Sequence, residues 1–306
     1  MSTLAASLDL DDSWAYLRAR NDPAWRQAPS VIELASNRVI DLLDAAGIPD
    51  ATVFVVGADA RRPAGVAAVR ACLERGLEIA DHSYWHRGEL ASQPREEIAR
   101  DLADSGTALA ELTGERPVGF RCPSFGASAD LTATLRSLGY AYDASPLPTT
   151  LVPLLRAYHR VAAGAGDHTP TYGTVRTAYG SLRPQHRDGL LAVPTTTLPG
   201  VRTPIHGSYL CALASVSITL ASVYARIADR ACRVFGLPVS FLLHPTDVLD
   251  HSDAPQLAFF PGMAVPWATK RTLLRAALQR FAEDREPVRM EALVDRRRGG
   301  AACQPR

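Results

Sequence analysis

Two histidines stand four positions apart in "IADHSYWHRG", residues 79–88, directly after a short apolar run and an aspartate. A neutral imidazole binds a divalent cation through one ring nitrogen, so His82 and His86 can converge on one ion if the segment forms a helical turn. The alternative is a pair of ordinary polar residues on a solvated turn. The acids Asp9, Asp11 and Asp12 in "SLDLDD" supply the missing donor type. One hard carboxylate with two imidazoles makes a three-ligand set and leaves positions open for water and substrate, as a catalytic site requires. A second carboxylate beside the ion can take a proton from an attacking water. Read blandly, the same acids cap the helix that "SWAYLRAR" would form.

Other polar residues also follow apolar runs. Asp143 in "YDAS" is placed to support the neighbouring loops through hydrogen bonds, and Asp247, three positions after His244, is placed to orient that imidazole; both also read as turn-forming aspartates. His206 in "TPIHGSY" has no partner at metal spacing, which favours a structural role over a place in a pocket. Cys122 reads as a small inert hydrophobe, because a nucleophilic thiol needs a nearby activating base.

The elements that must position these residues repeat one pattern: an amphipathic helix, a glycine stop, a short apolar strand. Val39, Leu42, Leu43 and Ala46 share a helical face, Gly47 ends it, and "TVFVV" follows. Pro63 opens a helix to Arg75, Gly76 stops it, and "LEIA" leads to His82. Pro94 opens the next, closed by Gly114 before "VGF"; Ser128 caps a fourth, closed by Gly139 before "YAYD". Later strands are "GLLAVP" and "PVSFLLHP", and a last amphipathic helix spans about 267–281. Strands alternating with helices pair in parallel, in a doubly wound sheet or a closed barrel. The polar residues after "SLDLDD", "EIAD", "GF", "YAYD" and "SFLL" favour the α/β barrel, which gathers its strand ends at one mouth. No glycine-rich phosphate loop follows the first strand.

One domain is expected over residues 1–290, with residues 151–187, rich in Gly, Pro, Thr, Tyr and Arg, as an insertion near the mouth, either a lid or a plain surface excursion. Residues 291–306 read as a flexible basic tail. "YLCALASVSITLA", 209–221, is too short for a membrane span and reads as a buried helix. The 33 basic residues balance 32 acidic ones, so no field collects nucleic acid or anionic lipid. Five cysteines without a CxxC pair indicate neither a thiolate zinc site nor a disulfide framework, and the start of the chain lacks an export pattern, so a cytoplasmic location is expected.

Taken together, "SLDLDD", "HSYWH", "FRCPSFG", "YAYDAS" and "FLLHP", in this order, resemble the polysaccharide deacetylase family, the NodB-homology group or carbohydrate esterase family four. The resemblance implies a distorted (β/α)7-type TIM-like barrel and metal-assisted removal of an acetyl or formyl group from an amide nitrogen of an amino-sugar-containing substrate. It implies Asp9 as catalytic base, and Asp11, His82 and His86 as ligands of one divalent metal, zinc foremost, with cobalt, nickel or manganese as alternatives. Because the family commonly has two adjacent aspartates, a second register makes Asp11 the base and Asp12 the ligand. His244 matches the general acid, Arg121 the arginine that orients and tunes the base, and the backbone N–H of Ser124 an oxyanion donor. Ser124 departs from the family's usual aromatic, and Phe125 is the nearest replacement. The expected partner is a small-molecule or oligosaccharide substrate with an N-acyl group, with no nucleic acid and no membrane span; oligomeric state is not legible. The rival readings are a catalytically degenerate carbohydrate-binding protein, an allantoinase-like hydrolase of a non-sugar amide, and a cysteine hydrolase using Cys122.

Overall fold

The apolar run "STLAASLDL" becomes β1 (Ser2–Leu10), the central strand, with β2 (Ala51–Val55) on one side and β8 (Val239–Leu243) on the other, all parallel. The computed structural model describes residues 2–151 and 178–301; residues 152–177 of the expected insertion and 302–306 of the expected tail lie outside the described residues. Beyond β2 the parallel series continues through β3 (Glu78–Asp81), β4 (Gly119–Phe120), β5 (Tyr142–Asp143) and β7 (Leu190–Ala192). Seven parallel strands therefore lie in the order β7, β5, β4, β3, β2, β1, β8. The sheet curls into a half-barrel, the distorted α/β barrel expected. Across its remaining seam the Thr196 N–H donates to the Ser240 carbonyl at 3.1 Å, and the Ser240 N–H donates to Thr196 Oγ1 at 2.7 Å.

The helices follow the glycine punctuation: α1 (Ser13–Ala19), α2 (Ile32–Ala46), α3 (Pro63–Glu74), α4 (Arg95–Thr113) and α5 (Ala129–Ser137) alternate with the first strands. Gly47 and Gly114 end α2 and α4 with φ of 71° and 87°, a left-handed conformation that glycine adopts without strain. Strand alternation then divides the core in two. Leu4, Leu8, Val53, Val55, Phe241 and Leu243 pack with Ile32, Leu42, Leu274 and Phe281 of the helical layer. Ala5, Phe54, Ala80, Tyr142, Leu191 and Val193 form a separate cluster within the curl.

Three features differ from the sequence expectation. The 209–221 segment is two helices, α6 (Gly207–Val216) and α7 (Ile218–Val234). Ser217 interrupts them because its side chain accepts from the Leu220 N–H as an N-cap, and the preceding Val216 is 81% exposed rather than buried. The end of the expected insertion forms β6 (Gln185–Arg187), antiparallel to β7 across Asp188 and Gly189, whose φ values of 48° and 86° suit a tight hairpin turn. The expected flexible tail begins instead as a helix. After α8 (Pro245–Val248), α9 (Trp267–Ala282) and β9 (Arg285–Pro287), which pairs with the start of β1, α10 (Glu291–Ala301) buries Leu293 and Val294. Among the described residues no helix is long and apolar enough to cross a membrane, and Cys72, Cys122, Cys211 and Cys232 are free and buried thiols.

Gly119 shows how closely the barrel interior is filled: a Cβ there would fall 1.9 Å from the Tyr142 ring. Gly119→Ala is expected to destabilise the protein by about 1–3 kcal/mol through overpacking, read as a lower denaturant midpoint. An unchanged midpoint would mean that Tyr142 does not pack across β4 as described.

Candidate active site

The alternation that sends Leu4, Ala6, Leu8 and Leu10 to the helical layer sends Ser7 and Asp9 to the opposite face, and Asp11 follows just past the strand end. On that face lies the wholly buried side chain of Arg121, at the end of β4. Its Nη1 donates to Ser7 Oγ at 3.1 Å and pairs with Asp9 Oδ1, its Nε donates to the Ala144 carbonyl at 3.2 Å, and its guanidinium lies 4.0 Å over the Phe54 ring. Asp9 Oδ2 then faces two imidazoles, His82 Nε2 at 3.9 Å and His244 Nε2 at 3.8 Å.

His82 and His86 do converge, though not on a helical turn. The segment is an irregular loop in which Ser83 and His86 take left-handed φ values of 65° and 49°. Ser83 Oγ accepts from the His86 N–H at 3.1 Å. Asp81 anchors the base of this loop, accepting from the Ser83 N–H at 2.8 Å, from Ser105 Oγ at 2.6 Å and from the Tyr140 hydroxyl. Burial pushes the Asp81 carboxyl up to about 7, against these hydrogen bonds.

His82 Nδ1 lies 2.7 Å from the Arg121 carbonyl, an acceptor, so Nδ1 carries the proton and Nε2 is directed at Asp11. Asp11 Oδ1 stands 3.3 Å from His82 Nε2 and 3.2 Å from His86 Nε2, and it is buried without a hydrogen-bond donor. In a neutral His82 this arrangement sets one lone pair against another, and a cation between them resolves the conflict. Burial alone would raise the Asp11 carboxyl, but the closeness of His86 and His82 outweighs it and holds it well below the usual range. Burial likewise disfavours a charged His82, while Asp9 and Asp11 more than reverse that and raise it. The donor set fits a divalent ion: two ligand atoms at about 2.05 Å from a tetrahedral centre stand about 3.3 Å apart. The possible Asp–His–His site is thus Asp11, His82 and His86, whose ligand atoms all lie within 4.8 Å of one another.

Asp12, the alternative ligand, is occupied elsewhere. Its Oδ1 accepts from the Ser13 N–H, capping α1, and from the Val31 N–H, both at 2.8 Å. Ser124 lies half-buried three residues beyond Arg121, in a tight turn where it and Phe125 have φ of 56° and 55°. Asp143 reaches none of the imidazoles by any hydrogen bond of its own and supports this turn indirectly: its Oδ1 accepts from the Ser145 N–H and hydroxyl, and Ser145 Oγ accepts from the Cys122 N–H at 2.8 Å. Burial pushes the Cys122 thiol well above its ordinary value, which leaves it inert.

His244 is held differently from the expectation. Asp247 Oδ2 accepts from the His244 backbone N–H at 2.9 Å, but it lies 3.9 Å from Nδ1, too far for a hydrogen bond. The ring's partner is Ser208 Oγ, 2.9 Å from Nδ1. His206 caps α6, its Nδ1 accepting from the Tyr209 N–H at 3.2 Å, and burial pushes its pKa down to about 3. Sequence reasoning did not single out Ser208 or Tyr16. The Tyr16 hydroxyl is buried without a hydrogen-bond partner, and burial followed by the Asp11, Asp247 and Asp9 charges raises its pKa well above normal, which places it beside the acids. No spacing in the chain marks either contact.

Residues 26–142 match the family model for polysaccharide deacetylase. That stretch contains His82, His86, Arg121 and Ser124, whereas Asp9, Asp11 and His244 join them through the fold. Among characterised sequences, the peptidoglycan deacetylase-like protein FGM2 of Gibberella zeae is 32% identical over 109 residues, 35% of this chain, and the match spans 31% of that protein's length. Among solved structures, a Mycobacterium smegmatis protein assigned as a polysaccharide deacetylase superposes with a TM-score of 0.62 at 20% identity, over 100% of this chain and 93% of that one. A carbohydrate esterase family four pseudoenzyme from Bacillus anthracis superposes with a TM-score of 0.50 at 9% identity, over 96% of this chain and 66% of that one. At these identities the two structures speak for the fold alone, and the fold agrees with the sequence match and the motif order. Residues 26–142 thus carry the match to the polysaccharide deacetylase family, the NodB-homology group that the motif order resembles.

Proposed function

We propose that the protein is a metal-dependent hydrolase that removes an acetyl group, or a formyl group, from the amide nitrogen of an amino-sugar-containing substrate. The observation that carries this reading is the position of Asp11 Oδ1, 3.3 and 3.2 Å from two imidazole nitrogens, with Asp9 and His244 facing each other beside it at 3.8 Å. A divalent cation, zinc foremost, held by Asp11, His82 and His86 would polarise the amide carbonyl and acidify water there. Asp9, aimed by Arg121, accepts the proton of the attacking water. The Ser124 N–H donates to the oxygen that becomes negative as the carbonyl turns tetrahedral. His244 delivers a proton from Nε2 to the departing nitrogen, and the carboxylic acid and free amine separate. The presence of candidate ligands, base and acid together supports catalysis over the degenerate binding-protein reading, a fate seen in a pseudoenzyme of similar fold.

His82→Ala and His86→Ala are each expected to abolish divalent-metal uptake, measured by elemental analysis, together with acetate release from N-acetylated amino sugars. His244→Ala is expected to keep the metal and lose about 10²–10⁴-fold in rate. Full turnover by a demonstrably metal-free preparation contradicts the mechanism, and metal uptake with no acyl release from any amino sugar supports the binding-protein reading instead.

The two aspartate registers separate in a parallel pair of variants. Asp11→Ala is expected to lose metal at normal stability of α1. Asp12→Ala is expected to retain metal and lose roughly 1–2 kcal/mol of stability with its cap, seen in thermal melts. Metal loss confined to Asp12→Ala would reverse the assignment.

A further inference from the structure

The segment His206–Gly207–Ser208, at the start of α6, packs against His244 and its neighbours Leu243 and Asp247. Ser208 Oγ is 2.9 Å from His244 Nδ1. Gly207 allows the approach, because a Cβ there would fall 2.4 Å from Asp247 Oδ2 and 2.7 Å from Leu243 Cδ2. The His206 ring stands edge-on to the His244 ring at 6.4 Å, and with its Nδ1 already accepting from the Tyr209 N–H it is neutral.

We propose that Ser208 is a positioning residue for the general acid: its hydroxyl oxygen accepts a hydrogen bond from the His244 Nδ1–H and so presents Nε2 to the leaving nitrogen. This rests on the hydrolase reading above. An imidazole acting as an acid carries a proton on both nitrogens, so in that state Ser208 can only accept from Nδ1, and its own O–H is free to face Asp247. Burial raises the Asp247 carboxyl, while the His244 charge and the Ser208 hydroxyl draw it back toward the ionised form, consistent with such an arrangement. The groups facing His244 are therefore Asp9 on Nε2, Ser208 and Asp247 on the Nδ1 side, and His206 at the ring edge. During the step the C–N electron pair stays on nitrogen and the Nε2 proton bonds to it, while the other ring proton stays on Nδ1, donated in a hydrogen bond to Ser208 Oγ. The aspartate that spacing marked as the ring's partner instead fixes its main chain through the His244 N–H.

The test compares the zinc-loaded wild type with Ser208→Ala and Ser208→Thr on two substrates, an N-acetylated chitooligosaccharide and 4-nitrophenyl acetate, whose phenolate leaves without a proton. The alanine variant is expected to lose about 10²-fold in kcat on the amide with KM nearly unchanged, to lose little on the ester, and to be largely rescued by threonine. Equal losses on both substrates, or an unchanged kcat on the amide, overturn the proposal. A second readout does not depend on turnover: long-range proton–nitrogen NMR of the His244 ring. The Nδ1–H signal is expected in the wild type and in Ser208→Thr and to be shifted or lost in Ser208→Ala. Ring signals that coincide in all three proteins overturn the contact. A wild type that hydrolyses neither substrate while its ring responds to Ser208→Ala contradicts the hydrolase reading and leaves the positioning contact standing.

Discussion

One buried guanidinium organises the mouth of this barrel. Arg121 is wholly inaccessible, and a charge in that position is tolerable only because Asp9, Ser7 and the Ala144 carbonyl surround it and Phe54 lies beneath it. Its main chain serves the neighbouring strand as well: the Arg121 N–H donates to the Asp81 carbonyl, and its own carbonyl accepts from His82 Nδ1–H, 2.7 Å from the nitrogen. The same residue thus fixes Asp9 on β1 and sets which nitrogen of His82 faces Asp11. Removing it would leave a carboxylate buried without its partner, a situation that costs about 3–5 kcal/mol in comparable pairs.

Around this centre the acids fall into two groups with different tasks. Asp81, Asp12 and Asp143 spend their oxygens on backbone N–H groups and hydroxyls at the starts of loops, so they shape the mouth without entering it. Asp59 belongs with them, accepting from Trp14 Nε1 at 2.8 Å, and burial pushes it up to about 7. Asp9 and Asp11 instead keep an oxygen facing imidazole nitrogens. The distinction follows from what each oxygen already touches, because a carboxylate that accepts two backbone donors has little left to offer an ion.

Much of the site could be read from residue order because strands impose a period of two. Once "SLDLDD" is a strand whose leucines are buried on one face, Ser7, Asp9 and Asp11 must share the other, and the Asp9–Asp11 spacing becomes geometric rather than statistical. Helix stops at Gly47 and Gly114 were legible for a similar reason, since only glycine takes those φ values cheaply. Loop conformation was not. The histidine pair reaches Asp11 through left-handed turns at Ser83 and His86, and nothing in the residue types distinguishes that path from a helical turn. Ser208 meets His244 across 36 positions of chain, a contact set by how α6 docks and not by any local spacing. The hairpin at Asp188 and Gly189 and the helix break at Ser217 carry local signals, a turn dipeptide and a capping serine, set beside competing ones, an irregular Gly- and Pro-rich stretch and a continuous apolar run.

The proposed centre would hold one divalent cation between the Asp11 carboxylate, just past β1, and two imidazoles from the loop after β3. Anomalous X-ray diffraction at the zinc edge, from crystals of the zinc-loaded protein, tests it directly. The account predicts a single peak about 2 Å from Asp11 Oδ1, His82 Nε2 and His86 Nε2. A peak coordinated by Asp12, or one remote from both histidines, would contradict it.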